Sequence, residues 1–122
     1  MKKEPVGEII EEYSKKPYID SLLLVSSVNG SISSTKNVPA ITRSMASLLS
    51  ITYEGTRELV SNVGLKLSEV DVKTHNGQSI IIKPLDDIHF LAVQVRSYDE
   101  KVMQDLDNLI SVLGSRVDDL EL

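Results

Sequence analysis

Two Asn-Gly pairs, Asn29-Gly30 and Asn76-Gly77, flank the longest helical pattern in the chain. No other feature constrains the fold as much. Each pair joins two strand-like stretches: "SLLLVSSV" and "SISST" around the first, "LSEVDVKT" and "QSIIIKP" around the second. Asn-Gly favours a two-residue type I′ hairpin, because that turn needs positive φ at both central residues and these two types tolerate it best. Each hairpin makes one adjacent, antiparallel pair of strands. The short "PLDDI" link does the same for the second isoleucine strand and "HFLAVQV".

The remaining segments are helical. Val6, Ile9, Ile10 and Tyr13 repeat as one helical stripe between Pro5 and Lys16, and Pro17 stops it. In the long middle segment, Ile41, Met45, Leu48, Thr52, Leu59 and Val63 lie within about 40° of one direction, and Gly64 suits a left-handed end. Gly55 is interior to this helix at a cost of about 1 kcal/mol against Ala, so the spacing predicts a close approach there. Ser97 with Glu100 reads as a capping box opening a last helix with Val102, Met103, Leu106, Leu109, Ile110, Leu113 and Val117 on one face.

These elements predict the topology αββαβββα over one domain, residues 1–122. The strands "LLLV", "IIIK" and "FLAV" are uninterrupted apolar runs, which suit interior positions covered on both faces. "SISST" and "SEVDVKT" are more polar and suit the edges. The expectation is an α/β chain of α+β type. Its five-stranded, antiparallel-rich sheet has order 2-1-5-4-3, with the long helix on one face and the two terminal helices on the other.

With 122 residues the chain can bury a core without staples, and it has no cysteine, which excludes disulfides, thiolate nucleophiles and Cys-ligated zinc. The missing cysteine fits a reducing, cytoplasmic setting. A net charge of −5, with four tyrosines, one phenylalanine and no tryptophan, argues against nucleic-acid binding. No apolar run approaches the roughly 20 residues needed for membrane insertion, and "MKKEPVGEIIEEYSKK" does not read as a secretory signal. Asp86-Asp87 with His89 could suggest acid–base or metal chemistry, but adjacent carboxylates in a tight link are usually turn formers. His75 reads as an exposed turn residue. No phosphate-cradling glycine loop, nucleophile elbow or His-Glu-x-x-His motif is present. No catalytic residue, metal ligand or cofactor is assigned, and the chain is expected not to be an enzyme.

The middle helix has a wider apolar arc than one packing face needs. It reads either as a deeply embedded core helix or as one that packs on its own sheet through Ile41, Met45, Leu48 and Leu59. In the second reading a shoulder of Ala46, Leu49, Tyr53 and Val60 meets another chain. The exposed edge strand, with Val70 and Val72, supports the second reading, because an open edge readily pairs.

The stretches "LLLVSSVNGSISST" before the long helix and "HNGQSIIIKPLDDIHFLAVQV" before the closing one resemble the roadblock / dynein light chain family. The resemblance runs from Pro5 to about Leu120. Its most characteristic part is Gly77, the isoleucine strand, Pro84, Asp87 and the apolar strand. "SSVNG" lacks the acidic residue that many members place ahead of the glycine. The resemblance implies a two-fold homodimer in which the edge strands Ser68 to Thr74 pair antiparallel and the middle helices lie side by side. It also implies a small Ras-like GTPase as partner. Arg43, Ser47, Glu54, Arg57 and Glu58, on the polar side of the middle helix, are the expected docking residues. Arg43 and Arg57 stand roughly 21 Å apart along the axis, too far to act on one phosphate. The alternative reading is a small-molecule-sensing domain of a related sheet-plus-helices fold.

Overall fold

The computed structural model describes residues 6–26, 30–34 and 45–116. Their elements are α1 (Val6–Ser14), β1 (Ile19–Ser26), β2 (Gly30–Ser34), α2 (Ala46–Asn62), β3 (Val70–Lys73), β4 (Ser79–Pro84), β5 (His89–Val95) and α3 (Glu100–Gly114).

The alternation within the strands builds two cores, one on each face of the sheet. Leu22 and Leu24 of β1, Ile81 of β4 and Leu91, Val93 and Val95 of β5 pack against Ile9 and Ile10 of α1. Val102, Leu106, Leu109 and Leu113 of α3 complete that layer, and Val117 lies outside the described residues. The intervening residues Leu23, Val25, Ile82, Phe90 and Ala92 point to the other face and meet Leu49 and Tyr53 of α2. Strands with apolar residues on both sides are what a three-layer packing demands.

The strand order is β2-β1-β5-β4-β3, and every pairing is antiparallel. The expected five-stranded sheet is corrected here. The regular part is a four-stranded antiparallel sheet, β1-β5-β4-β3, in an α+β arrangement with three helices. β2 is a short attachment outside β1. Leu24 pairs with Ser33 but Val25 pairs with Ser31, so Ile32 is an extra residue and the register breaks. β3 is also shorter than Ser68 to Thr74, with only Val70–Lys73 in the ladder against β4.

The second hairpin differs from the expected type I′ turn. Among the described residues only glycines have positive φ, and Gly77, at +92°, is the one in this turn. Thr74 N–H donates to Gln78 O, and Gly77 N–H donates to Thr74 O, which leaves a three-residue loop with the left-handed residue last. Asn76 holds the loop by its side chain instead, accepting from Gln78 N–H at 3.3 Å. The first Asn-Gly turn lies outside the described residues, because Asn29 does.

α2 ends as expected. Gly64, at φ +80°, donates to Ser61 O and Leu65 donates to Val60 O, the paired bonds of a Schellman cap. α3 is capped by Asp99 rather than by Ser97: its side chain accepts from Val102 N–H at 2.9 Å. Asp99 stands directly before the first helical residue, where an acceptor reaches a free N–H. A lysine is among the described residues buried in the sheet. Lys83 of β4 meets Glu69 at 2.8 Å and Asp107 of α3 at 3.1 Å, and Tyr98 donates its hydroxyl to Glu69. This network fastens the segment before β3 to the α3 layer.

Candidate protein-interaction surface

α2 carries the candidate site, and three of its sides differ. The first side faces the sheet. Tyr53 is 1% exposed and Leu49 7%, with Met45 half-buried beside them. Leu49 and Tyr53 were expected on a shoulder facing another chain; the structure packs both on the chain's own sheet. Leu48 and Leu59 were expected against the sheet and are exposed instead. The reason is a rotation about the helix axis. Both stripes are apolar and lie roughly 100° apart, so periodicity alone does not choose between them. The ring pair Tyr53–Phe90, 4.7 Å between centroids, fixes the choice.

The second side is apolar and uncovered. Leu48 is 63% exposed, Ile51 68%, Leu59 66% and Val63 66%. They fall at i, i+3, i+11 and i+15, with Gly55 at i+7. A Cβ at Gly55 would meet nothing within 4 Å, so the expected close approach does not come from the described residues. Val60 is half-buried, and the Ala46 side chain lies outside the described residues, as do Ile41 and Arg43. At the sheet edge Val70 packs beneath α2, and Val72, two residues along on the same face, is exposed. Ile51 belongs to this exposed stripe and was not singled out in the sequence. Its signal is the three-residue step from Leu48 and the four-residue step to Gly55.

The third side is polar and borders a cleft of about 710 Å³. Tyr53, Glu54, Arg57, Glu58 and Ser61 of α2 line it, facing residues 65–68 and the Pro84–Asp87 turn. Three of the expected docking residues, Glu54, Arg57 and Glu58, thus come together, and Ser47 is exposed. Arg57 donates from Nη1 to Asp87 O at 3.0 Å and from Nη2 to Glu54 Oε1 at 2.8 Å, and its guanidinium lies 5.3 Å from the Tyr53 ring centroid.

The opposite wall is set by Asp86. Its Oδ1 accepts from Ile88 N–H at 2.9 Å and His89 N–H at 2.7 Å, and the His89 Nδ1 lies 2.9 Å away. Burial pushes this carboxyl upward, but the hydrogen bonds from Ile88 and His89 outweigh it and hold the group below its ordinary value. Asp86 therefore builds the turn, and His89 is buried behind it. His75 is exposed at the other hairpin. Among the described residues, no group of three or more His, Cys, Asp and Glu side chains could hold a metal ion. Nor is any described helix long and apolar enough to cross a membrane.

No protein-family model and no curated protein matches the sequence. Solved structures do match. A Roadblock/LC7 domain from Streptomyces avermitilis superposes with a TM-score of 0.78 at 18% identity, covering 93% of this chain and 98% of that one. MglB of Myxococcus xanthus gives 0.81 at 16% identity, covering 93% and 94%. The gliding protein MglB of Thermus thermophilus gives 0.75 at 14%, covering 90% and 86%. At such identities the likeness speaks for the fold alone: the sheet and its three helices are those of a chain with the roadblock-family fold.

Proposed function

We propose that this protein is a non-enzymatic, homodimeric interaction module that regulates a small Ras-like GTPase in the cytoplasm. Gly55 carries the homodimer part of the reading. A glycine in a helix interior costs about 1 kcal/mol against Ala, and nothing among the described residues uses the space. The stripe is also symmetric about that glycine. Ile51 and Leu59 lie four residues before and after it, and Leu48 and Val63 seven before and eight after. Two such helices crossing antiparallel at Gly55 would set Ile51 against Leu59 of the second copy and Leu48 against Val63, the self-complementarity a two-fold interface requires. A missing Cβ lets the two backbones come close.

The edge strand β3 supports the same assembly. A four-residue strand with one side unpaired among the described residues, and with Val72 exposed, can add to its own copy across the axis. The GTPase part rests on the roadblock-like fold and on the resemblance of the hairpin sequences to that family. Without a phosphate-cradling loop of its own, such a module would act by docking and repositioning groups of its partner.

Light scattering on the unmodified protein at tens of micromolar (about 10⁻⁵ M) tests the assembly, with a dimer expected and a monomer overturning it. Capture of small GTPases loaded with GTP or GDP tests the partner. Capture that depends on the nucleotide is expected. Its absence for every small GTPase encoded alongside this chain removes the regulator reading.

A further inference from the structure

We propose that the cleft beside α2 is a second binding site, one that receives an arginine or lysine side chain from a short extended segment of a partner protein. Its volume of about 710 Å³ falls within the roughly 300–1,000 Å³ of pockets that enclose a ligand. Four carboxylates, Glu54, Glu58, Asp86 and Asp87, line it against two cations, Arg57 and Lys66. Arg57 and Glu54 are committed to each other, and Asp86 to the turn and His89. Glu58 and Asp87 are exposed, and among the described residues neither carboxylate has a hydrogen-bond or ion-pair partner.

The rest of the lining is apolar: Leu65, 68% exposed, with Leu67, Pro84 and Leu85. Free carboxylates beside an apolar wall complement a side chain with a methylene stem and a cationic head. The stem covers Leu65, and the head meets Glu58 and Asp87. A small inorganic cation would leave the wall wet, and an acidic segment would meet like charge. This site rests on the reading of the chain as an interaction module, yet it uses a different side of α2. Its centre lies about two-fifths of a turn around the axis from the Leu48–Gly55–Leu59 stripe, with Glu58 at the border between the two.

The test uses the full chain labelled with ¹⁵N and two blocked tetrapeptides, Leu-Arg-Leu-Arg and Leu-Glu-Leu-Glu, titrated at low salt. The basic peptide is expected to move the amide signals of Glu58, Leu65, Lys66 and Asp87. The acidic peptide should not. The double variant Glu58→Gln/Asp87→Asn should weaken the basic peptide about fivefold, as two partly exposed charge pairs allow. An equal response to both peptides, shifts confined to other surfaces, or unchanged affinity in the double variant overturns the site. Light scattering on the same samples separates the two proposals. A monomer that still binds the basic peptide overturns the dimer and keeps the cleft, whereas a dimer that ignores the peptide overturns the cleft alone.

Discussion

The ring of Tyr53 lies 4.7 Å from the ring of Phe90, tilted by 31°, and both side chains are sealed from solvent. This pair is the rivet between α2 and the sheet. Tyr53→Ala is therefore expected to cost about 3–5 kcal/mol of folding stability, read as a lower urea midpoint. Tyr53→Glu buries an unpaired charge and should unfold the chain outright rather than dissociate a folded one. A folded, monomeric Tyr53→Glu protein would contradict the packing described above.

Leu59→Glu should behave in the opposite way. The side chain projects into solvent in the isolated chain, so folding stability of the monomer should change by no more than about 0.5 kcal/mol. Self-association should weaken about thirtyfold or more, as loss of a central apolar contact does. Sedimentation at several concentrations, with far-ultraviolet circular dichroism as the folding control, reads both.

Gly55→Ala separates a bare helix from a paired one. In a lone helix the change stabilises by up to about 1 kcal/mol, because the added methyl meets nothing among the described residues. Where two helices cross at that point, the same methyl pushes them apart. The expected outcome is a monomer more resistant to heat and a dimer that forms less readily. An unaltered association constant would place the crossing elsewhere.

Acid should loosen the turn that walls the cleft. The Asp86 carboxyl is held below its ordinary value, so its contribution is present above the unfolded value of about 3.9 and lost as pH falls through the lower folded value. Asp86→Ala is expected to cost about 1–3 kcal/mol at neutral pH. Asp86→Asn should flatten the acid limb of the stability curve between about pH 5 and pH 2, measured by urea unfolding across that range.

Alkali should act on Lys83. Burial pulls this ammonium down, but its hydrogen bonds and charge pairing with Glu69 and Asp107 prevail and raise it above its ordinary value. Its contribution is complete below the unfolded value of about 10.4 and disappears as pH rises through the folded one. Lys83→Ala should cost about 3 kcal/mol or more by leaving Glu69 without its cation. Lys83→Met, which keeps the volume and also removes the charge, should recover part of that loss.

Local chemistry made much of this legible in the sequence. Leu22 to Val25, Ile81 with Ile82, and Phe90 to Val93 are contiguous apolar runs, and their shortness and flanking turn residues mark them as strands with both faces covered. Gly64 announced the end of α2 because a left-handed cap needs it. What stayed hidden depended on rotation and on register. Leu48 and Leu49 are adjacent, both leucine, and point to different environments; only the shape of the sheet beneath, where Phe90 meets Tyr53, assigns them. The cleft was hidden for a related reason. Glu58, Leu65 and Asp87 come from three separate segments and converge only once α2 is seated.

The irregular join between β1 and β2 bears on how far a sheet of this kind can grow. Propagation into a fibre needs two competent edges on every subunit, one to accept and one to offer. Here the outer strand on one side is five residues long and carries an unmatched residue, Ile32, that breaks its ladder, and a bulge of this kind is a device that blunts an edge. Among the described strands only β3 is left to offer a clean edge, and a pairing of β3 with its own copy would use up that edge on both subunits. The joined sheet would then be flanked by two irregular borders, and polymerisation stops at its first step.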